Sequence, residues 1–225
     1  MNKKNLTQVP TIMLCDQSIT DFAQDLLTNT QTRKIICLAG IPGSGKTTLV
    51  HKLSDILNQL KPDIAVPVSL DAYHLINTQL DALNLRHAKG SPPSYDVMSY
   101  LHLLKQLRTH TNRNVFYPIY DRAIHNPIWR ASQIIKPATK IIFAEGQFML
   151  LDQSPWDEFA HLTDESWYLK VDAHKVRDNL IARHVRGGRS HQDAVDYVNR
   201  TDDANRDLVL NCMRTPDRII SWSGR

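Results

Sequence analysis

Gly40, Gly45, Lys46 and Thr47 stand in the spacing G-x-x-x-x-G-K-T, and the chemistry this spacing can do is to hold a chain of phosphates. The glycines let backbone N–H groups turn inward around phosphate oxygens, and a helix that starts at once adds partial positive charge. Lys46 can then reach the β- and γ-phosphates and the Thr47 hydroxyl can ligate Mg²⁺, with Gly43, Ser44 and Thr48 completing the candidate nucleotide-binding set. A glycine-rich turn with only a helix-capping role is the plainer reading. It leaves Lys46 and the Thr47-Thr48 pair unexplained.

Further residues could act around such a loop. Asp71 closes a short apolar run and is a candidate general base, because a carboxylate within reach of a hydroxyl can take its proton as the bond to phosphorus forms. A phosphate acceptor carries no such proton, so Asp71 favours an alcohol; its alternative role is a turn or helix cap. Glu145 ends another apolar run and is a candidate for the metal or its waters, with Gly146 expected to open space beside it. Arg183, Arg186 and Arg189 flank Gly187-Gly188, as in a hinged lid whose guanidinium groups close on phosphates, or simply in a solvated basic turn. Tyr120, Arg122 and His125 are suited to gripping a polar substrate, and Arg86 and Lys89 could bind an anionic group on it.

These residues need elements to position them. Ile35 to Ala39 reads as a buried parallel strand leading into the loop, and Leu49, Leu53, Ile56, Leu57 and Leu60 mark the core face of the helix after it, ended by Pro62. Further strands are expected through Val66, Val68 and Leu70, at Lys140 to Gly146, at Ser166 to Asp172 and at Asp217 to Trp222. Strand ends in open α/β sheets face the ligand, which would bring Asp71 beside the loop. Helices are expected over 17–29, from Val97 with Asp96 as N-cap, from about His174 to Arg186, and from His191, while Asn112 to Asp121 reads as extended or hairpin. Residues 1–16 read as a lead-in. Strands alternating with helices argue for a parallel α/β sheet covered on both faces.

The 225 residues suffice for one α/β domain with a proper core, and 42% hydrophobic with 22% charged residues is ordinary for a soluble protein. Lys and Arg number 27 against 23 Asp and Glu, a dispersed excess that argues against nucleic-acid and membrane surfaces and suits a phosphate site. Cys15, Cys37 and Cys212 have no metal spacing and fit a reduced, cytoplasmic setting. No segment approaches a membrane span. The chain is compatible with a homodimer.

With these residues in view, the chain resembles the phosphoribulokinase, uridine kinase and bacterial pantothenate kinase family of P-loop kinases, in particular its sugar-related and nucleoside- or nucleotide-kinase-like members. GIPGSGKTT resembles the family's phosphate loop, LDAYHL its strand-end segment, and KGSPPSYDV its K-G-A-P-x-T-F-D-V. PIYDRAIHNP resembles P-x-Y-D-R-x-x-x-D-P, AEGQFMLLDQSPW resembles E-G-N-Y-L-L-L-D-x-x-P-W, and RHVRGGRSHQDA resembles the lid. The resemblance runs from about Lys34 to Ile220. It implies a single P-loop kinase domain over 1–225 with a five-stranded parallel sheet, a small lid at 183–190, ATP with Mg²⁺, Asp71 as base and Glu145 near the metal. It further implies lid arginines on the phosphates: Arg183 with the nucleotide and Arg186, alongside Lys46, on the migrating group. Two departures concern the acceptor: Ala72 stands for the usual glycine and Asn126 for an aspartate.

The expected activity is phosphoryl transfer from ATP to a hydroxyl of a small polar metabolite such as a sugar, nucleoside or pantothenate-like alcohol. A guanine-nucleotide switch would require N-K-x-D and D-x-x-G segments, and neither occurs. A nucleotide-binding regulatory or pseudokinase module without turnover is the remaining alternative.

Overall fold

The computed structural model describes residues 6–121 and 123–224 and shows why the strand sequences carry no alternation. In chain order the elements are β1 (Thr11–Leu14), α1 (Ile19–Thr28), β2 (Lys34–Ala39), α2 (Lys46–Leu60), β3 (Ala65–Ser69), α3 (Asn77–Ala82), α4 (Val97–Thr109), β4 (Val115–Asp121), β5 (Asn126–Ile135), β6 (Ile141–Glu145), α5 (Phe159–Leu162), β7 (Glu165–Leu169), α6 (Ala173–Arg186), α7 (His191–Tyr197), α8 (Asp203–Cys212) and β8 (Arg218–Trp222). Ile36 and Leu38 of β2, with Ile141 and Phe143 of β6, face one core together with α1 and α2. Ile35, Cys37 and Ala39, with Ile142 and Ala144, face a second core with α4, Phe148 and Trp156. Both faces of the central strands are therefore apolar. Each fully buried Leu, Ile or Phe contributes roughly 1.5–3 kcal/mol, whereas exposed ion pairs such as Lys136–Asp63 contribute little. Packing decides the architecture.

The sheet has six strands in the order β1-β8-β7-β2-β6-β3, one more than the five expected. All its pairings are parallel. The additional strand is β1, from the segment read as a lead-in, and it aligns Thr11 with Ile219 and Leu14 with Trp222. Its four residues bury only Leu14, so no buried run marks it; the free edge of β8 supplies what its own sequence lacks. The helix expected over 17–29 forms as α1 and packs beside α2, with the Phe22 and Trp167 rings 5.6 Å apart.

A separate hairpin, β4 with β5, stands outside the main sheet. The segment ending at Asp121 is extended as expected, and its register shifts around Pro118, which cannot donate to a ladder. Asp96 caps α4 as expected, accepting from the Ser99 amide at 3.1 Å. Arg33, at the base of β2, donates to the carbonyls of Leu107 and His110 at the end of α4, and of Lys136 and Thr139 after β5, at 3.0–3.2 Å.

Candidate functional site

The turn between β2 and α2 depends on its glycines in different ways. Gly45 (φ 93°) and Gly43 (φ 70°) hold left-handed backbone. A β-carbon on Gly43 would lie 2.8 Å from Leu180 of α6, and one on Gly40 2.9 Å from Ser44 Oγ and 3.0 Å from the Leu169 carbonyl. Gly45 offers no side-chain cap to α2, whose first turn holds no acidic residue, so its amides are available to an anion.

Lys46 is buried, with Nζ donating to the carbonyls of Gly40 at 2.9 Å and Ile41 at 3.1 Å. Burial lowers its pKa, and the charges of Glu145 and Asp71 oppose that shift. Thr47 follows and donates to Glu145 Oε1 at 3.0 Å. Glu145 is in register with Leu38 on one side and Ser69 on the other, so it sits between the strand that feeds the loop and the strand that leads to Asp71. Burial and the nearby Asp71 charge push the Glu145 carboxyl upward, against Lys46 and the hydrogen bonds of Ser69 and Thr47. Gly146 does not open space as expected. A β-carbon there would meet Leu70 at 2.7 Å, so the glycine lets the residue before Asp71 approach.

Asp71 lies in the turn Leu70–Tyr73 after β3. The cap of this turn is Ser69, whose Oγ accepts from the Asp71 amide at 3.2 Å. Among the described residues no hydrogen bond engages the Asp71 carboxylate, and the residue lines the main cavity. His74 sits against it: its Nδ1 lies 2.9 Å from the Asp71 carbonyl, which can only accept, so this nitrogen carries the hydrogen. Burial lowers the His74 pKa, with the Asp71 charge acting the other way. Its ring stacks on Tyr95 at 4.0 Å and approaches Tyr120 at 5.3 Å.

The cavity is about 1100 Å³, larger than one small molecule needs. Its lining brings together Gly43, Gly45, Lys46, Thr47, Thr48, Asp71, Glu145, Arg86, Tyr120, His125, Arg183 and Arg186. Gly40 and Ser44 belong to the loop behind it, and Arg122 lies outside the described residues. Arg86 contributes to the wall with its Nε and Nη2 donating to the two carboxylate oxygens of Asp81, at 2.9 and 2.7 Å. Arg183 and Arg186 are exposed on the last turns of α6, and Arg183 acts electrostatically on Lys46. Arg189 follows Gly188 (φ 96°) and lies over the Tyr197 ring at 4.2 Å.

Several lining residues were not singled out by sequence spacing: His74, Asn77, Tyr95, Gln147, Tyr197 and Asn205. Tyr197 donates to the Lys89 carbonyl at 2.9 Å, while Gln147 and Asn205 both donate to the Gly90 carbonyl at 2.6 and 3.0 Å. His74 had a signal, three residues after Asp71 in LDAYHL; the others come from distant segments.

The donor set fits a nucleotide with a hard divalent cation: an anion cradle at a helix start, a buried ammonium, and a hydroxyl beside a carboxylate. Among the described residues no group of three or more His, Cys, Asp or Glu forms a metal cage, so a cation here would take its remaining ligands from phosphate oxygens and water.

A parallel α/β sheet with this loop, an acid at the end of the neighbouring strand and arginines across the cavity defines a P-loop kinase. The chain belongs to the phosphoribulokinase/uridine kinase family, whose model matches residues 35–223. It is 33% identical over 197 residues to the uncharacterized protein YggC of Escherichia coli K12, covering 87% of this chain and 80% of that protein. A Schizosaccharomyces pombe protein provisionally named a uridine kinase, C227.14, is 29% identical over 198 residues, 84% of this chain and 83% of its own. Among solved structures, a Silicibacter sp. TM1040 protein described provisionally as a fructose transport system kinase superimposes with a TM-score of 0.80 at 28% identity, over 91% of this chain and 98% of that one. P-loop kinases of this family use ATP with Mg²⁺ in general.

Proposed function

We propose that this chain transfers the γ-phosphoryl group of ATP to a hydroxyl of a small polar metabolite, a sugar, nucleoside or pantothenate-like alcohol. The observation that carries this is the half-buried Asp71 carboxylate, engaged in no hydrogen bond among the described residues, in one cavity with Lys46, Thr47 and Glu145.

In this reading Gly40, Gly43, Ser44, Gly45 and Thr48 shape the loop whose amides hold the phosphates, and Lys46 turns from the loop carbonyls to phosphate oxygens. Thr47 and Glu145 would hold Mg²⁺, which neutralises charge on the migrating group. The acceptor hydroxyl gives its proton to Asp71 as its oxygen bonds to phosphorus, and the bond from phosphorus to the ADP oxygen breaks with its electron pair leaving on ADP. Arg183 and Arg186 close over the phosphates as parts of a lid at 183–190, with glycines at its hinge. Tyr120, His125 and Arg86 belong to the acceptor wall. The same reading has Arg122 there.

A regulatory or pseudokinase module is disfavoured, since a module that only binds nucleotide has no use for an open carboxylate beside the loop. A cytoplasmic setting is part of the proposal, consistent with three free thiols. Among the described residues no helix is long and apolar enough to cross a membrane. The test is incubation with ATP and Mg²⁺ against sugars, nucleosides and pantothenate-like alcohols, reading ADP and product mass. ADP release that stays at background with every alcohol would sink the reading.

A further inference from the structure

The cavity is lined by six Lys and Arg side chains, and they divide between its walls. Arg183 and the carboxylates of Glu145 and Asp71 all act on the charge of Lys46 beside the phosphate loop. Lys89 and Arg86 line the cavity from the connection between α3 and α4, and Arg86 is spent on Asp81.

Lys89 is different. Its ammonium donates to Asn77 Oδ1 at 2.7 Å and to the His125 carbonyl, and lies 5.9 Å from the centre of the Tyr120 ring. These partners are all neutral, and among the described residues no carboxylate pairs with it. Partial burial and the Arg86 charge both lower its pKa, so the wall raises the cost of this charge while offering no counter-charge. The ammonium has a third N–H beyond its two hydrogen bonds. Asp71, His74 and Lys89 line the same cavity, and both the Asp71 carboxylate and the Lys89 ammonium act on the His74 ring. An open carboxylate and an open cation in one cavity suit a small molecule that carries both a hydroxyl and an anion.

We propose that the acceptor is an alcohol bearing an oxyanion, a carboxylate or phosphate, that seats on Lys89 while its hydroxyl meets Asp71. This rests on the kinase reading above. It goes further by excluding neutral sugars and nucleosides as preferred acceptors. Asn77 and the His125 carbonyl, in a backbone of φ 49°, aim the ammonium rather than neutralise it.

The experiment pairs each acid with a neutral counterpart, hydroxy acids with their amides and sugar phosphates with the free sugars, and measures phosphorylated product by mass for wild type, Lys89→Gln and Lys89→Arg. The carboxylate and phosphate arms distinguish the two sources of the oxyanion. The expected result is a higher kcat/KM for the anionic member of a pair, an anionic-to-neutral ratio that falls about tenfold or more in Lys89→Gln through KM, and a ratio retained in Lys89→Arg. Turnover confined to neutral members would overturn the inference and leave the kinase reading standing. So would a Lys89→Gln protein that loses both members of a pair by the same factor, as expected of a side chain that only ties Asn77 to the hairpin turn. ATP binding with no product from any member would overturn both readings.

Discussion

The phenolic hydroxyl of Tyr197, the last residue of α7, donates to the backbone carbonyl of Lys89 at 2.9 Å, joining the segment after the glycine pair to the connection between α3 and α4. The same tyrosine carries Arg189 on one ring contact at 4.2 Å and His184 on another at 4.7 Å. The arginine-bearing segment is thus tied to the connection between α3 and α4 by a hydrogen bond. Tyr197→Phe keeps the ring contacts and removes the bond, worth about 1 kcal/mol. It should lower acceptor kcat/KM severalfold with little change in ATP affinity, measured by steady-state kinetics and nucleotide titration. A loss of ATP affinity equal to the loss in kcat/KM would refute the coupling.

Asp71→Asn removes the proposed base without removing a cap, since Ser69 caps the turn. Turnover should fall by roughly 10²–10⁴-fold, with ATP affinity and melting temperature close to wild type. Full phosphotransfer by this variant on a confirmed acceptor would sink the base assignment.

Gly43→Ala forces a methyl into left-handed backbone and toward Leu180 and Val176. A cost of about 1–3 kcal/mol is expected, visible in urea unfolding, together with weaker ATP binding because the loop must shift away from α6. Unchanged stability and affinity would mean that the loop accommodates the methyl freely.

His74 provides a pH dependence whose sign follows from burial. Its pKa is lowered in the folded chain from the usual 6.5. The unfolded chain therefore takes up a proton first as the pH falls below about 6.5, and stability present above that value is lost on acidification. The groups facing the ring, Asp71, Tyr95, Tyr120 and Lys89, remain in a His74→Gln variant. Urea unfolding at pH 7.5 and 5.5 should show wild type losing more stability than His74→Gln. Equal losses would place the effect elsewhere.

The donor half of the site was legible because its parts are local: loop, helix start and strand-end acids lie within motifs whose spacing the backbone geometry imposes. Glu145 and Asp71 are far apart in sequence, yet each is marked by the apolar strand before it. The acceptor half was less legible. The bond from Tyr197 to Lys89 spans 108 residues, and no spacing announces it. β1 and β5 escaped notice for a related reason, since β1 buries a single residue and β5 carries a proline, an arginine and polar residues in a two-stranded hairpin. Arg86, plausible by composition, turned out to face Asp81, while Lys89 three residues on has no such partner.

Arg33 gives the acceptor wall its mechanics. With one guanidinium it fastens the C-terminal end of α4 and the turn after β5 to the foot of β2, at the end of the sheet remote from the phosphate loop. The wall is a lever pinned at its base, so whatever play it has is expressed at the tip, where Tyr120 and His125 line the cavity. The phosphate loop, rooted in the two packed cores, does not share that pivot.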